Sequence, residues 1–114
     1  FNLPAVASVS FEAKKGTELI IERLLIYPNP ISKDGYVSFI LSSNAEVNIG
    51  IYTIRGNRIK NIKTSGRQGF NSIRWDGLDD RGNNLANNTY FVKVTAKNTD
   101  GKSVELTEKM VVYK

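Results

Sequence analysis

Neither histidine nor cysteine occurs among the 114 residues. Without them there is no Ser-His-Asp triad, no thiol nucleophile, no imidazole base and no zinc finger. Disulfides are excluded as well, so the fold cannot be a stapled mini-scaffold. A chain free of cysteine suits either a cytosol or a bacterial exterior. Long apolar runs are also missing. The longest, Leu19 to Tyr27, is broken by Glu22 and Arg23, so no helical bilayer span is expected. No basic segment followed by an apolar stretch opens the chain, and no signal peptide is read there. Phe1 stands first in place of Met, and the expectation is a piece processed or excised from a larger parent.

Acidic residues are scarce in one place above all. None lies between Val47 and Trp75, where Arg55, Arg58, Lys60, Lys63, Arg67 and Arg74 fall. The whole chain carries 16 Lys+Arg against 11 Asp+Glu, a net charge of +5. Arg55, Arg58, Lys60 and Lys63 form a candidate basic patch. Such a patch attracts nucleic acid, anionic lipid or an acidic partner, or serves only as a solvated face. No RRM, KH or helix-turn-helix pattern accompanies it, so nucleic acid is not expected. The length suits one domain, and 40% apolar residues are enough for a core.

The apolar residues recur with period two. Val37, Phe39 and Leu41 share one strand face. Val47, Ile49 and Ile51 repeat the pattern, then Ile73 and Trp75, then Tyr90, Val92, Val94 and Ala96. Val104 and Leu106, with Met110 and Val112, close the chain. Glu108 interrupts that last alternation, and a bulge is expected beside it. Leu19–Tyr27 is apolar on both faces, as a strand covered on both sides would be. Turn signals separate the runs: Asp34-Gly35, Arg55-Gly56-Asn57, Ser65-Gly66, Asp80-Arg81-Gly82-Asn83 and Asp100-Gly101. The pattern predicts an all-β antiparallel sandwich of about seven or eight strands over residues 19–114. Residues 1–18, with Val9 and Phe11 alternating against Ser8 and Ser10, read as a linker or an extra edge strand.

Three motifs stand out. Tyr27-Pro28-Asn29-Pro30 fixes two φ angles, withholds two N–H donors and presses Asn29 into extended geometry. It predicts a rigid corner leading from the first strand to the other sheet. Asp76, Asp79 and Asp80, followed by Gly82 and Asn83, make a weak calcium candidate. An EF-hand counted from Asp76 would need glycine and glutamate where Arg81 and Asn87 stand, so turn-capping carboxylates are the simpler reading. Tyr90, at the start of a late strand, is placed like a tyrosine corner. Asn87-Asn88-Thr89 has the form of a glycosylation sequon and is read as a turn.

Taken together, the chain resembles a known family. Leu25-Ile26-Tyr27-Pro28-Asn29-Pro30 is similar to its opening YPNP motif. Val47 through Tyr52, Gly56 and Ile59 resembles its central hairpin, V-x-L-x-IYD-x-x-G-x-x-V. Gly69 through Trp75-Asp76-Gly77 and Asp80-Arg81-Gly82 resembles its WDG…D-x-G turn. Thr89–Val94 and Lys109–Lys114 resemble its closing strands. The family is the Ig-like domain of the flagellar hook-capping (FlgD-like) type, which merges with the type A C-terminal sorting domains of the type IX secretion system. The resemblance covers roughly residues 24–114. Thr53 departs from the family's Asp after Tyr, and Asn88 from its Gly.

The resemblance implies an Ig-like sandwich with no active site and no cofactor. It implies a non-catalytic C-terminal domain of a secreted or surface protein of a Gram-negative bacterium, with a gingipain-like peptidase or the sortase itself as parent. The implied sorting or interaction residues are Tyr27, Pro28, Asn29, Pro30, Tyr52, Gly56, Lys109, Met110, Val111, Val112, Tyr113 and Lys114. Expected partners are outer-membrane secretion or attachment proteins, or domains of the parent, with the domain itself monomeric. The terminal strand Lys109–Lys114 is expected to pair with a partner's sheet edge. Two alternatives remain: a carbohydrate-binding module, which needs exposed coplanar rings, and a structural domain of a flagellar hook cap.

Overall fold

A computed structural model describes residues 18–114. The linker or edge strand expected over residues 1–18 lies outside the described residues, save Glu18. Seven strands follow in order: β1 (Ile21–Tyr27), β2 (Gly35–Leu41), β3 (Ala45–Thr53), β4 (Arg58–Gly66), β5 (Gly69–Trp75), β6 (Asn88–Lys97) and β7 (Ser103–Val112). One sheet has the order β1-β2-β5 and the other β4-β3-β6-β7, and all neighbours are antiparallel. The fold is an Ig-like β-sandwich. Among the described residues there is no helix, hence none long and apolar enough to cross a membrane.

Period-two alternation places one phase of each strand between the sheets. Val37, Phe39 and Leu41 of β2 face Val47, Ile49 and Ile51 of β3, with Val92, Val94 and Ala96 of β6 beside them, all buried. Met110 and Val112 close the core from β7, and Trp75 from β5.

Two readings of the edge strands need correction. Glu108 causes no bulge: β6 and β7 pair in unbroken register from Asn88↔Val112 to Lys97↔Ser103. Glu108 sits in the inward phase opposite Val92 yet is exposed. At a sheet edge an inward-phase charge discourages another strand from pairing. The bulge lies instead in β1, between Glu22 and Leu25, where Arg23 takes φ +60°. It switches the inward phase from Ile21 to Ile26. β1 is therefore not covered on both sides, because Leu25 and Tyr27 stand in solvent.

Most turns follow their sequence signals, but Ser65-Gly66 is not one: both residues pair in β4, and the connection to β5 is Arg67-Gln68. Gly56 (φ +91°) closes the β3–β4 hairpin, with its N–H bonded to Thr53 O at 2.9 Å. Thr53 caps the same turn, since its Oγ1 accepts from Asn57 N–H at 3.2 Å. Asn88 does not take the left-handed geometry that would stand in for glycine. It opens β6, and its Oδ1 accepts from Thr89 N–H at 2.8 Å. The Tyr90 hydroxyl donates to Ala86 O at 2.8 Å, a tyrosine corner. Partial burial pushes the Tyr90 phenol above its ordinary pKa. Gly77, at φ +83°, passes so close to the β1–β2 loop that a Cβ there would collide with Lys33 O.

Gly77→Ala is expected to cost about 3 kcal/mol or more, from left-handed strain and the backbone clash together. Tyr90→Phe is expected to cost about 1 kcal/mol, the worth of one hydrogen bond. Urea unfolding monitored by Trp75 fluorescence checks both.

Candidate interaction surfaces

The tetrapeptide Tyr27–Pro30 and the last strand come together. Asn29 Oδ1 accepts from Val111 N–H at 3.0 Å, and Asn29 Nδ2 donates to Lys109 O at 3.2 Å. The next residue continues the pairing. Ile31 N–H donates to Val111 O at 2.8 Å, and Tyr113 N–H to Ile31 O at 3.0 Å, a parallel bridge. Ile31 is itself buried. The proline-bounded corner thus presents Asn29 and Ile31 as a short extra strand on the outer edge of β7. Lys114 is also tied down, by N–H to Asn87 Oδ1 at 3.0 Å and Nζ to Leu85 O at 2.8 Å. The edge from Lys109 to Tyr113 is therefore occupied by the chain's own backbone and Asn29. A partner pairing there would have to displace them.

Tyr52 and Gly56 lie apart from that clamp. Tyr52 belongs to the outer face of the four-stranded sheet. Its ring lies over Gly50, where a Cβ would meet the ring's Cε1 at 2.8 Å. Lys93 Nζ stands 5.5 Å from the ring centroid, in cation–π range. Gly56 is at an exposed hairpin tip.

The basic patch is divided. Arg55 is on that tip, Lys60 pairs with Asp80 at 3.9 Å, and Arg58 and Lys63 point from the outer face of the four-stranded sheet. The cations that join them there, Lys93 and Lys97, come from β6. On the same face Asn48 Oδ1 and Asn61 Oδ1 are buried acceptors that receive no hydrogen bond among the described residues. Each such orphan costs on the order of 1–3 kcal/mol. The alternation that placed Asn48 and Gly50 opposite the core phase marked this face, but only sheet pairing sets β6 beside it.

Asp76 and Asp79 act on their own turns, and Asp80 on a neighbouring strand. Asp76 Oδ1 accepts from Leu78 N–H at 3.0 Å. Asp79 Oδ1 accepts from the N–H groups of Arg81 and Asn83, both at 2.9 Å. Asp80 closes the edge of β4: its N–H donates to Ile59 O at 2.9 Å, and its Oδ1 accepts from Asn61 N–H at 3.4 Å. Among the described residues no group of three or more acidic side chains is gathered as metal ligands would be.

The outer face of the three-stranded sheet was not singled out by the sequence. Leu25 is 57% exposed, Tyr27 65%, Tyr36 45% and Phe70 71%. Tyr27 pairs directly with Tyr36, and Ile40 with Phe70. The row between those pairs is Leu25, Ser38 and Ser72, so exposed apolar side chains flank two serines on a face that is ordinarily polar in sandwiches. Alternation about Ile73 and Trp75 pointed Phe70 outward, and that signal could have found it. At one end of the face Arg74 Nη2 donates to Asp34 Oδ2 at 2.7 Å. That hydrogen bond holds the Asp34 carboxyl below its ordinary pKa.

A protein-family model, the FlgD Ig-like domain, matches residues 29–100. No curated protein matches the chain by sequence. Among solved structures, one similar chain is the dimeric latent PorU of Porphyromonas gingivalis. It is 19% identical at TM-score 0.74, over 90% of this chain but only 10% of the PorU chain. FlgD from P. aeruginosa is 23% identical at TM-score 0.60, over 78% of this chain and 74% of that one. FlgD from Xanthomonas campestris, described as a hook-capping protein essential for flagellar assembly, is 26% identical at TM-score 0.55, over 82% and 66%. The chain thus spans one tenth of the PorU chain that it matches.

Asn29→Ala removes both side-chain bonds to β7 and is expected to cost about 1–2 kcal/mol. Faster hydrogen exchange at the Val111 amide is expected with it. Asn29→Asp keeps the acceptor and loses the donor, so about half the loss is expected. Thermal unfolding and amide exchange measured by NMR check both variants.

Proposed function

The chain belongs to the FlgD Ig-like domain family, and from that premise we propose that it is the non-catalytic C-terminal domain of a secreted bacterial protein. In this reading it works as a type IX sorting or attachment signal, through contacts with outer-membrane secretion proteins or with domains of its parent. Its place is the bacterial exterior.

The observation that carries the reading is the set of exposed apolar side chains on the outer face of β1, β2 and β5. Leu25, Tyr27, Tyr36 and Phe70 lie there at no benefit to the core, and apolar side chains in solvent are the usual mark of a surface meant for another protein. The likeness to one tenth of PorU supports a domain within a much larger chain. The closed edge of β7 changes which element is offered. The folded clamp of Tyr27–Pro30 with Lys109–Tyr113 is the recognisable shape, rather than a free terminal strand.

A second reading is a structural domain of a flagellar hook cap. The share of the two FlgD chains that this chain covers favours it. Restored swimming in a strain lacking its own hook-capping protein, with this chain grafted in place of the Ig-like domain, would support that reading against export.

The test is a reporter fused ahead of residues 1–114 and expressed in a type IX-competent bacterium. The reporter is expected outside the cell, and in the periplasm of a strain lacking the translocon. Leu25→Asp and Phe70→Asp, both at exposed positions that leave the core intact, are expected to cut export about tenfold or more, as loss of interface anchors does. Periplasmic retention of the unaltered fusion in the competent strain would overturn the export reading.

A further inference from the structure

The two sheets do not match in width. Three strands lie over four, and β1 packs against β7. The inward phase of β7 is covered unevenly. Met110 and Val112 are buried, Leu106 and Val104 are half-buried, and Glu108 is exposed. β1 is uneven in the same way: Ile26 is buried, and Leu24, in phase with it, only half-buried. Leu24, Leu106 and Val104 line an open seam along the outer side of β1. Among the described residues β1 pairs only with β2, so its outer edge is open too. A half-covered apolar seam beside an unpaired edge is a place for one more strand.

The chain itself supplies a candidate. Glu18 and Ile20 are pinned to the turn between β2 and β3. Ser42 Oγ donates to Glu18 O at 3.0 Å and accepts from Ile20 N–H at 2.8 Å, and Ser42 N–H donates to Ile20 O at 3.0 Å. Val104 lies at that same end of the sandwich, because Val47 follows the turn, pairs with Ala96, and Ala96 pairs with Val104. The residues before Glu18 therefore join the fold beside the open part of the seam. Residues 13–17 include Lys14, Lys15 and Gly16 and offer a turn. Before them Ala5, Ala7, Val9 and Phe11 alternate with Val6, Ser8, Ser10 and Glu12. Extended, that stretch reaches about 26 Å, slightly more than the length of β1. No charged side chain occurs from Phe1 to Phe11, so one phase can be buried without desolvating an ion. The phase is also graded in size. Run antiparallel to β1, it brings Phe11 and Val9 to the open end at Val104 and Leu106, and Ala7 and Ala5 to the end that β1 and its corner already fill.

We propose that residues 5–12 dock on the outer edge of β1 as an eighth, antiparallel strand, with Val9 and Phe11 seated on Leu24, Val104 and Leu106. Backbone groups on the open edge of β1 gain partners, and the seam gains a cover. The serines and Glu12 face solvent. A strand from another protein meets the same backbone chemistry, but the tether favours this one. A segment joined to its site by a few residues is present there at an effective concentration on the order of millimolar. Strand addition by a partner is then blocked at β1 by this chain's own residues, as it is at β7 by Asn29 and Ile31. The seam is on the inner side of β1, away from Tyr36 and Phe70, so this proposal and the export reading fail independently.

The test is NMR of the full chain with amide and methyl labelling. Slowed amide exchange is expected at alternate residues between Ala5 and Glu12, since only every second amide of an added strand points at its neighbour. Nuclear Overhauser contacts are expected from the Phe11 ring to the methyls of Val104 and Leu106. They are expected to be independent of dilution and absent between labelled and unlabelled copies in a mixed sample. Phe11→Asp and Val9→Asp are each expected to abolish the contacts and the slowed exchange, and to lower Tm by about 4 °C or more. Ser8→Asp, an equal charge change in the solvent phase, is expected to keep both and to shift Tm by about 2 °C or less. Unprotected exchange throughout residues 5–12, contacts that arise only between copies, or equal Tm values for Ser8→Asp and Phe11→Asp would each overturn the proposal.

Discussion

Four hydrogen bonds tie Asn29 and Ile31, in the corner after β1, to Lys109, Val111 and Tyr113 at the edge of the other sheet. β1 belongs to one sheet and β7 to the other, and sheets that share no strand are otherwise joined only by core packing and loops. The corner after Tyr27 carries the chain across that gap and buries Ile31 at the seam. It also satisfies outward-facing backbone groups of Lys109, Val111 and Tyr113, which would otherwise stand open on an edge strand. The same contacts fix the C-terminal end of the chain, where Lys114 bonds to Asn87 and Leu85. Opening the corner would loosen the seam and the terminus together.

Edges elsewhere are managed by other means. Asp80 reaches from the β5–β6 loop to cover Ile59 and Asn61 on β4. β1 is bent by its bulge at Arg23. Glu108 sets a charge in the inward phase of β7. These devices account for residues that looked like chemistry or irregularity in the sequence. The aspartates that suggested calcium are turn and edge caps, and the glutamate that suggested a bulge is a guard on a regular ladder. With the edge of β7 closed from Lys109 to Tyr113, the two outer faces are the broad surfaces left open to solvent. One is apolar and rich in tyrosine. The other is cationic, with amide oxygens that lack donors.

Much of this was legible in one dimension. Period-two alternation identified the inward residues of β2, β3 and β6, because a pleated strand sends alternate side chains to opposite faces whatever its neighbours are. The hairpins at Gly56 and Gly101 followed from residues that tolerate positive φ. Tyr90 was readable as a corner because its partner, Ala86, is only four residues away. The motif order from Tyr27 to Lys114 carried the family, whose model matches residues 29–100.

What the sequence could not settle were properties of pairs far apart in the chain. Leu19–Tyr27 looked like a strand covered on both sides, since apolar content says nothing of which neighbours arrive, and the bulge at Arg23 left half of those side chains in solvent. Arg55–Lys63 looked like one patch, but strand geometry sends Lys60 toward Asp80 and sets Arg58 and Lys63 beside Lys93 and Lys97. Asn29 and Val111 are 82 residues apart, and nothing local in either segment announces the other. The sequence by itself determined the strands, their inward faces and their turns, because those depend on dihedral preference and on side-chain alternation along a few residues. The tertiary structure alone decided which edges are closed and which side chains share a face, because those depend on where non-local hydrogen bonds bring distant strands together.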